Sequence, residues 1–398
     1  MRGKVAVVGV GMIPFGELFE KSFPDMVQEA YMNCIKSVDK GIDPKEIKAA
    51  WFGQWSGGGM IGQGALCGAS LGSMIGNLNI PITRVENGCP TGNDTFRNAV
   101  VGVASGAYDV VLALGAEKMR DKPGVESLIA AGGGGGGILG LHPSWMLGMG
   151  GPVLQALYAM RQMHDLGYTM ENFARVAVKN HHNGVSCKYA HYRFDVTIDR
   201  VLNSPIVCYP LHLLDCCPQT DGAAAAIVCR ADIAKRYTDK PVYVLGTCTG
   251  MDHKDMWDKH SFIEMKATIR AAKGAMEMAK IKPEDIDLAE VHDCFTNTEL
   301  MNAEDIGFCK KGEAAKLLME GYWDRNGAKP INPSGGLKAH GHPIAATGIG
   351  QICENFWQLR EDMEGERQVK LKNGIALSHN VGGDGFGVSA INILSRSL

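Results

Sequence analysis

No Asp, Glu, Lys or Arg stands between Ser127 and Met160, a run of 34 residues. That is long enough to span a bilayer. Ten of the 34 are glycine, including the unbroken run Gly132 to Gly137, and Pro143 and Pro152 interrupt the rest. A segment of that kind cannot hold a lone helix in lipid, where every backbone group must be satisfied internally. It is expected to be apolar loop and short helix covering a pocket, with no membrane span. Cysteine is sparse for a stapled fold: there are twelve in 398 residues, none at the C-x-x-C spacing of a structural zinc site. Excess charge is absent too. A net charge of −3 excludes a general affinity for nucleic acid or an anionic membrane surface. No basic segment with a cleavable apolar stretch follows Met1, which runs directly into the strand-like KVAVVGVG. The expected compartment is a reducing cytoplasm with most thiols buried.

What is present is a composition of 45% hydrophobic and 21% charged residues, that of a globular protein with length for two or three domains. The chain repeats itself. Val5, Val7 and Gly9 correspond to Val242, Val244 and Gly246; Ile42, Pro44, Ile47 and Ala50 correspond to Ile281, Pro283, Ile286 and Ala289. Between each pair of landmarks lies an amphipathic helix. Its face carries Val27, Ala30, Tyr31 and Cys34 in the first copy, and Met265, Ile269, Ala272 and Met276 in the second. Each half reads strand, helix, strand, turn, helix, strand, strand. The closing strands are expected at 109–115 in the first half, and at 374–379 and 386–394 in the second; 222–230 is expected to pair with the first half. Helices alternating with strands imply helices packed on mixed sheets. Residues 119–205 have no counterpart in the second half and read as an insertion of the lid or binding-loop kind.

Two tripeptides occupy corresponding places in the halves: Gly88-Cys89-Pro90 and Gly341-His342-Pro343. Helical spacing follows each, through Phe96, Val100 and Val103 after the first and Ile349, Ile352, Cys353 and Phe356 after the second. A helix N-terminus offers unpaired N–H groups and partial positive charge, which favour a thiolate and bind an oxyanion. This is equipment for acyl transfer through sulfur.

Four segments should converge if the halves stack face to face: 87–92 around Cys89, His292-Asp293-Cys294-Phe295, Gly341-His342-Pro343, and 380–385 (Asn-Val-Gly-Gly-Asp-Gly). Together with NPSGGLKAHGHPIAATG (332–348) and CPQTDGAAAA (217–226), the set resembles the thiolase superfamily, and within it the sterol-carrier-type and archaeal thiolases. The resemblance covers nearly the whole chain. It implies an α/β fold of two duplicated βαβαβαββ halves stacked in five layers (α-β-α-β-α) with an inserted loop domain. The domains would be 1–118 with 206–235, the insertion 119–205, and 236–398.

The resemblance further implies roles. Cys89 would be the nucleophile that becomes acylated, and His342 the base that takes its proton. His292 would donate to an enolate oxygen, and Gly382 would lend a backbone N–H to an oxyanion hole beside that of Cys89. The chain departs from standard thiolases in carrying Asn380 where they place a second catalytic cysteine. In the resembling branch the cysteine of His-Asp-Cys-Phe takes over, which assigns Cys294 as acid/base. The bland alternatives are a small buried hydrophobe for Cys89, a His340-x-His342 metal pair or capping residue for His342, a satisfied core ring for His292, and an ordinary turn glycine for Gly382. Coenzyme A would be co-substrate, with no tightly bound cofactor and no metal. The expected assembly is a homodimer or dimer of dimers, with a small zinc-ribbon/OB-fold partner protein as a further candidate.

Other features carry less. Gly57-x-Gly59-x-x-Gly62 fits a dinucleotide fingerprint in form but opens no βαβ unit. Cys216-Cys217 reads as packing, His181-His182 as part of a solvated or interface helix, and Asp221 as a turn-fixing residue before a buried strand. Arg161, Lys179, Lys188 and Arg193 are scattered through the insertion, with no evident CoA-phosphate cluster. The substrate would be a 3-oxoacyl-CoA, either branched or aromatic of the benzoylsuccinyl type or a short acetoacetyl group. The rivals are a hydroxymethylglutaryl-type synthase, disfavoured by Gly53-Gln54 where its glutamate would stand, and a non-catalytic CoA- or lipid-binding scaffold.

Overall fold

The computed structural model of the chain describes residues 1–57, 61–62, 65–122, 150–383 and 385–398. The expected glycine-rich lid (132–137) and Gly59 of the G-x-G-x-x-G run lie outside them. The strands are β1 (Val5–Met12), β2 (Ala50–Gly53), β3 (Ile82–Val85), β4 (Val110–Glu117), β5 (Ile206–Cys208), β6 (Leu211–His212), β7 (Gly222–Arg230), β8 (Val242–Met251), β9 (Leu288–Glu290), β10 (Ile375–Gly382) and β11 (Val388–Ser395). The longer helices are α1 (Phe23–Lys36), α2 (Thr91–Ala104), α3 (Gly151–Leu166), α4 (Met170–Val185), α5 (Lys266–Ala279), α6 (Thr296–Ile306) and α7 (Ile344–Arg360).

Nine strands form one sheet in the order β3-β2-β4-β7-β1-β8-β11-β10-β9, and its centre is a seam between two copies of one pattern. Moving outward from the seam, β1 is followed by antiparallel β7, antiparallel β4 and parallel β2. On the other side β8 is followed by antiparallel β11, antiparallel β10 and parallel β9. At the seam Val7 stands opposite Val242 and Ala6 opposite Tyr243. The first copy adds β3 at its edge; the second has there an isolated parallel bridge, Ala289 to Ile331.

Side-chain alternation then sorts the layers. Val5, Val7, Val10 and Met12 of β1 face a central core with Phe96 and Val100 of α2, Ile349, Ile352 and Phe356 of α7, and Val242, Leu288, Ala376 and Leu394 of the second half. Ala6 and Val8 face the other way, onto α1. The switch of parity between Val8 and Val10 coincides with a register shift at Val7/Gly9, so Val8 and Gly9 both point toward α1. On the outer face of the second half, Leu377, Ile391 and Ile393 pack with Ala271, Ala275 and Ala279 of α5. The resulting order is α1, sheet, α2 with α7, sheet, α5: the five layers expected. Helices α3 and α4 cover the second half through Ala156, Ala159, Phe173 and Val176.

The helix α1 starts where its sequence says it should. Ser22 Oγ accepts the Asp25 N–H at 3.3 Å, Asp25 returns a bond to the Ser22 N–H at 2.9 Å, and Pro24 fills the first turn. The expected face of α5 is corrected at one residue: Ile269 is 37% exposed. The sheet beneath explains why. A Cβ added to Gly246 would lie 2.2 Å from the Ala275 carbonyl oxygen, and one on Gly250 2.1 Å from that of Ala267. The helix backbone lies almost on β8, so only small side chains fit the contact face and the large one turns outward. Among the described residues no helix is long and apolar enough to cross a membrane.

Candidate active site

The site is built where the two central helices begin. A Cβ on Gly92 would lie 2.6 Å from the Ala345 carbonyl oxygen, and one on Gly348 2.2 Å from the Asn93 nitrogen. Two glycines thus let α2 and α7 cross in backbone contact at their first turns, which brings together the residues just ahead of each helix. The Cys89 Sγ and one ring nitrogen each of His292 and His342 lie within 4.8 Å of one another. The two imidazoles meet edge to face, with centroids 5.1 Å apart at 79°. Cys89 is half-buried and both rings are buried.

Local bonds hold each piece. Gly88 turns the chain with φ +61°, and its carbonyl accepts from the Thr91 N–H at 2.9 Å and Thr91 Oγ1 at 2.6 Å. The end of β10 lies against the nucleophile candidate: a Cβ on Gly382 would sit 2.7 Å from Cys89 Cβ and 2.8 Å from its nitrogen. Gly382 thus packs directly against Cys89, with no room for a side chain. His342 bonds Thr347 Oγ1 through Nδ1 at 2.8 Å, and that hydroxyl in turn donates to the Pro343 carbonyl at 3.2 Å. The N–H of His342 donates to the Pro218 carbonyl at 3.3 Å. Burial pushes the His342 imidazole down to about 3, so the ring is neutral. His292 receives Asn380 Nδ2 on its Nδ1 at 3.3 Å, and Asn302 Nδ2 donates to its carbonyl at 2.7 Å. Burial first, then His342 and His379, hold its ring well below the ordinary range. Nε2 of both rings is buried without a protein partner.

Asp293 joins two of the four segments. Its carboxylate accepts the N–H groups of Leu337 at 2.6 Å and Lys338 at 3.2 Å, at the start of the short helix Gly336–His340 that leads to His342. Asn180 of α4 donates to the same carboxylate at 2.7 Å. Burial, then Glu299, pushes its pKa up to about 7.

Cys294 is buried and does not belong to the 4.8 Å trio. Burial, then Cys217 and Cys89, raises its thiol well above the ordinary range, so it carries its proton. It lies in an apolar cluster with Leu154 and Tyr158 of α3, Met256, Met301, Leu337, Val381 and Phe386. Cys217 does more than the packing expected of it. Its N–H donates to the Cys294 carbonyl at 2.9 Å, and Cys216 bridges to Phe295, so the 216–217 segment sits alongside the catalytic candidate. The signal was the CPQTDG motif itself.

Three lesser readings change. His181 is fully buried, stacked on Tyr192 with centroids 5.7 Å apart, while only His182 is solvated. Lys179 is likewise buried, paired with Glu299 at 3.0 Å, and so is spent on the fold. Asp221 does more than turn the chain: it accepts from the N–H groups of Leu18, Met119 and Arg120 and from Lys118 Nζ, pinning the residues where the insertion starts.

The chain is similar to known proteins along its whole length. Residues 5–232 match the family described as "Thiolase, N-terminal domain", and 248–396 match "Thiolase C-terminal domain-like". The acetyl-CoA acetyltransferase of Methanothermobacter thermautotrophicus is 41% identical, over 98% of this chain and 99% of that one. Sterol carrier protein 2 of Gallus gallus is 34% identical over 96% of this chain and 70% of its own length. The benzoylsuccinyl-CoA thiolase subunit BbsB of Thauera aromatica is 33% identical over 96% and 95%. The solved Ltp2-ChsH2(DUF35) aldolase superposes with a TM-score of 0.84 at 22% identity, covering 99% of this chain and 98% of that one, and so shares its fold. With two glycine-crossed helices holding a thiol and an imidazole at their mouths, and with relatives of this identity along its whole length, the chain belongs to the thiolase family of acyltransferases.

Proposed function

We propose that the chain catalyses CoA-dependent thiolysis of a 3-oxoacyl-CoA, or the reverse Claisen condensation, through an acyl group on Cys89. The observation that carries this is the 4.8 Å gathering of the Cys89 thiol with the rings of His292 and His342.

The neutral His342 accepts the Cys89 proton on Nε2, because its Nδ1–H is given to Thr347 Oγ1, whose own hydrogen goes to the Pro343 carbonyl. The thiolate attacks the 3-keto carbon. The bond between C2 and C3 breaks, and its electron pair passes to the departing acyl-CoA as an enolate. The enolate oxygen is held by His292 and by the protonated His342. Cys294, protonated in its apolar surroundings, gives its proton to C2. The shorter acyl-CoA leaves, the resulting Cys294 thiolate takes the proton of a CoA thiol, and that sulfur attacks the acyl-Cys89 carbonyl. Cys89 departs as thiolate and recovers its proton from His342. The N–H groups of Cys89 and Gly382 stabilise the tetrahedral intermediates in this scheme, supported by the close packing of the two residues.

Two readings of substrate size have separate support. The apolar side chains around Cys294 favour a branched or aromatic acyl group, as the name of the 33% identical relative suggests. The name of the 41% identical relative favours an acetyl unit. The proposal extends to a cytoplasmic homodimer or dimer of dimers, and to a small zinc-ribbon/OB-fold partner that helps hold CoA. Burial of Lys179 supports the last point by removing one basic residue from the insertion's solvent face. The test is intact-protein mass after mixing with acyl-CoA: one acyl increment is expected on the native chain and none on Cys89→Ala. An adduct that persists in the variant overturns the assignment. A panel of 3-oxoacyl-CoA substrates, run with and without co-purified protein, decides size and partner.

A further inference from the structure

We infer that Asn380 is a positioning residue that fixes the tautomer of His292, keeping the hydrogen on Nε2 so that the ring faces the substrate as a hydrogen-bond donor and cannot serve there as a base. The inference rests on the thiolase reading above and concerns the residue that stands where standard thiolases carry their second cysteine.

The amides of Asn392, Asn93, Gln351 and Asn380 are oriented by groups that can act in only one sense. A backbone carbonyl only accepts. The carbonyl of Asn93 receives Asn392 Nδ2 at 3.1 Å, which orients the Asn392 amide. That Nδ2 also donates to Asn93 Oδ1 at 2.9 Å, while Asn392 Oδ1 accepts from Thr247 Oγ1 at 2.7 Å. Asn93 Oδ1 additionally receives Ser378 Oγ at 3.0 Å. The Asn93 Nδ2 must therefore point the other way, and it donates to Asn380 Oδ1 at 2.9 Å.

A second carbonyl gives the same answer independently. Gln351 Nε2 donates to the His379 carbonyl at 3.3 Å, so Gln351 Oε1 faces Asn93 Nδ2, at 3.0 Å. With its oxygen occupied by Asn93, Asn380 presents Nδ2 to His292 Nδ1 at 3.3 Å. Nδ1 must then be the lone-pair nitrogen, and the neutral ring carries its proton on Nε2. The opposite tautomer would set two N–H groups against each other in a site where Asn93, His292, Asn380 and Asn392 are all fully buried.

The contrast with His342 gives this a purpose. Thr347 leaves that ring with a bare Nε2, whereas Asn380 leaves His292 with a protonated one. Two neutral imidazoles at a centroid distance of 5.1 Å thus present opposite polarities, one to take a proton from sulfur and one to hold an oxyanion. A cysteine at position 380 could not reproduce the amide's paired donor and acceptor, so the change from standard thiolases and the presence of His292 belong together.

The near-isosteric Asn380→Asp separates this role from mere packing. A carboxylate accepts from Nδ1–H, so a neutral His292 would lose the hydrogen on Nε2, while an imidazolium would keep it. The titratable groups facing the ring are His342, His379 and Cys89. The variant should lose about 100- to 1000-fold in the carbon–carbon step as pH rises through its new imidazolium pKa, the usual effect of removing one oxyanion donor, and recover as pH falls. The loss should fall on that step more than on acylation of Cys89. In the native protein with ¹⁵N-labelled histidine, the His292 signals, identified by their absence in His292→Asn, should show a protonated Nε2 and a bare Nδ1. A protonated Nδ1 in that spectrum, or a pH profile of Asn380→Asp parallel to the native one, overturns the inference. The native spectrum reports whether or not the variant folds. Absence of any acyl adduct on the native chain would instead sink the thiolase reading and leave the tautomer measurement intact.

Discussion

Asp293 Oδ1 accepts the backbone N–H of Leu337 at 2.6 Å, tying the strand-end segment that carries His292 and Cys294 to the short helix that delivers His342. The contact spans 44 residues of sequence and is supported from α4 by Asn180. It is a positional tie between two rings that must meet over one sulfur. Asp293→Ala leaves the Leu337 and Lys338 N–H groups without their acceptor, at a cost of about 1–3 kcal/mol for each buried group orphaned, while Asn180 keeps its bond to Glu299. The expected outcome is a clear drop in melting temperature together with loss of carbon–carbon cleavage, seen by thermal denaturation and a thiolysis assay. Native kinetics in this variant would show that the rings hold their places without it.

Gly382→Ala tests the other side of the nucleophile. The new methyl would sit 2.7 Å from Cys89 Cβ and 2.8 Å from Pro90 Cδ, so either the strand end or the Cys89 turn must move. A displacement of about 1 Å at a reacting group costs on the order of 100-fold in rate. Acylation and thiolysis should therefore fall together, unlike the selective loss expected of Asn380→Asp. Acyl-adduct formation timed by quenched mass spectrometry measures the first half directly; an adduct formed at the native rate would show that Cys89 has room to spare.

The duplication was legible because its landmarks are the strands that meet. Val7 and Val242, matched as repeats, are opposed residues at the seam. The cysteine and histidine at the helix mouths were legible for a related reason: each is followed at once by a strong helical spacing. What periodicity could not show was set by long-range contact. Ile269 turns outward because Gly246 and Gly250, on a different element, bring the helix backbone too close to the sheet for a large side chain. His181 is buried because Tyr192 and Phe194 fold back over it. Cys217 joins Cys294 through one backbone bond across 77 positions, and Asn93 reaches Asn380 across 287. Local spacing sets none of these contacts, although Cys217 and Asn380 each stand in a motif of the sequence.

Cys294→Ala should separate the two chemical stages. The thiol stands in apolar surroundings that keep it protonated, which suits a donor to carbon and has no part in the attack by Cys89. Acyl-enzyme should still form from an acyl-CoA, while cleavage of a 3-oxoacyl-CoA should fall by at least about 100-fold, the low end of general acid–base contributions. Single-turnover acylation beside steady-state thiolysis makes the comparison. If thiolysis survives, the proton comes from elsewhere, and Cys217, whose chain runs beside Cys294, becomes the residue to replace next.

The buried imidazoles also set an acid dependence of stability whose sign follows from their direction of shift. Burial lowers His181, His340, His342 and His379 to about 3. In the unfolded chain the same rings protonate near 6.5. Below that pH the unfolded state takes up protons that the folded state refuses, so stability falls with falling pH, by up to about 1.4 kcal/mol per pH unit for each ring, until about pH 3. Glu117 and Asp305, pushed up to about 7 by burial, act in the opposite sense between about 7 and 4, where the folded state binds the extra proton. Below about 4 both states carry protonated carboxyls at those positions, while the rings and the carboxylates that are lowered on folding, such as Asp39 and Asp252, continue to act. His181 lies apart from the catalytic candidates, against Tyr192 and Phe194, so His181→Phe removes one ring's share without touching the chemistry. The variant loses the bond from the ring to the Phe194 carbonyl and should start less stable at neutral pH. Its melting temperature should then decline less steeply than the native one from pH 6 to pH 4, with the two curves converging as the medium is acidified. Parallel curves would mean that His181 takes a proton in the folded state after all.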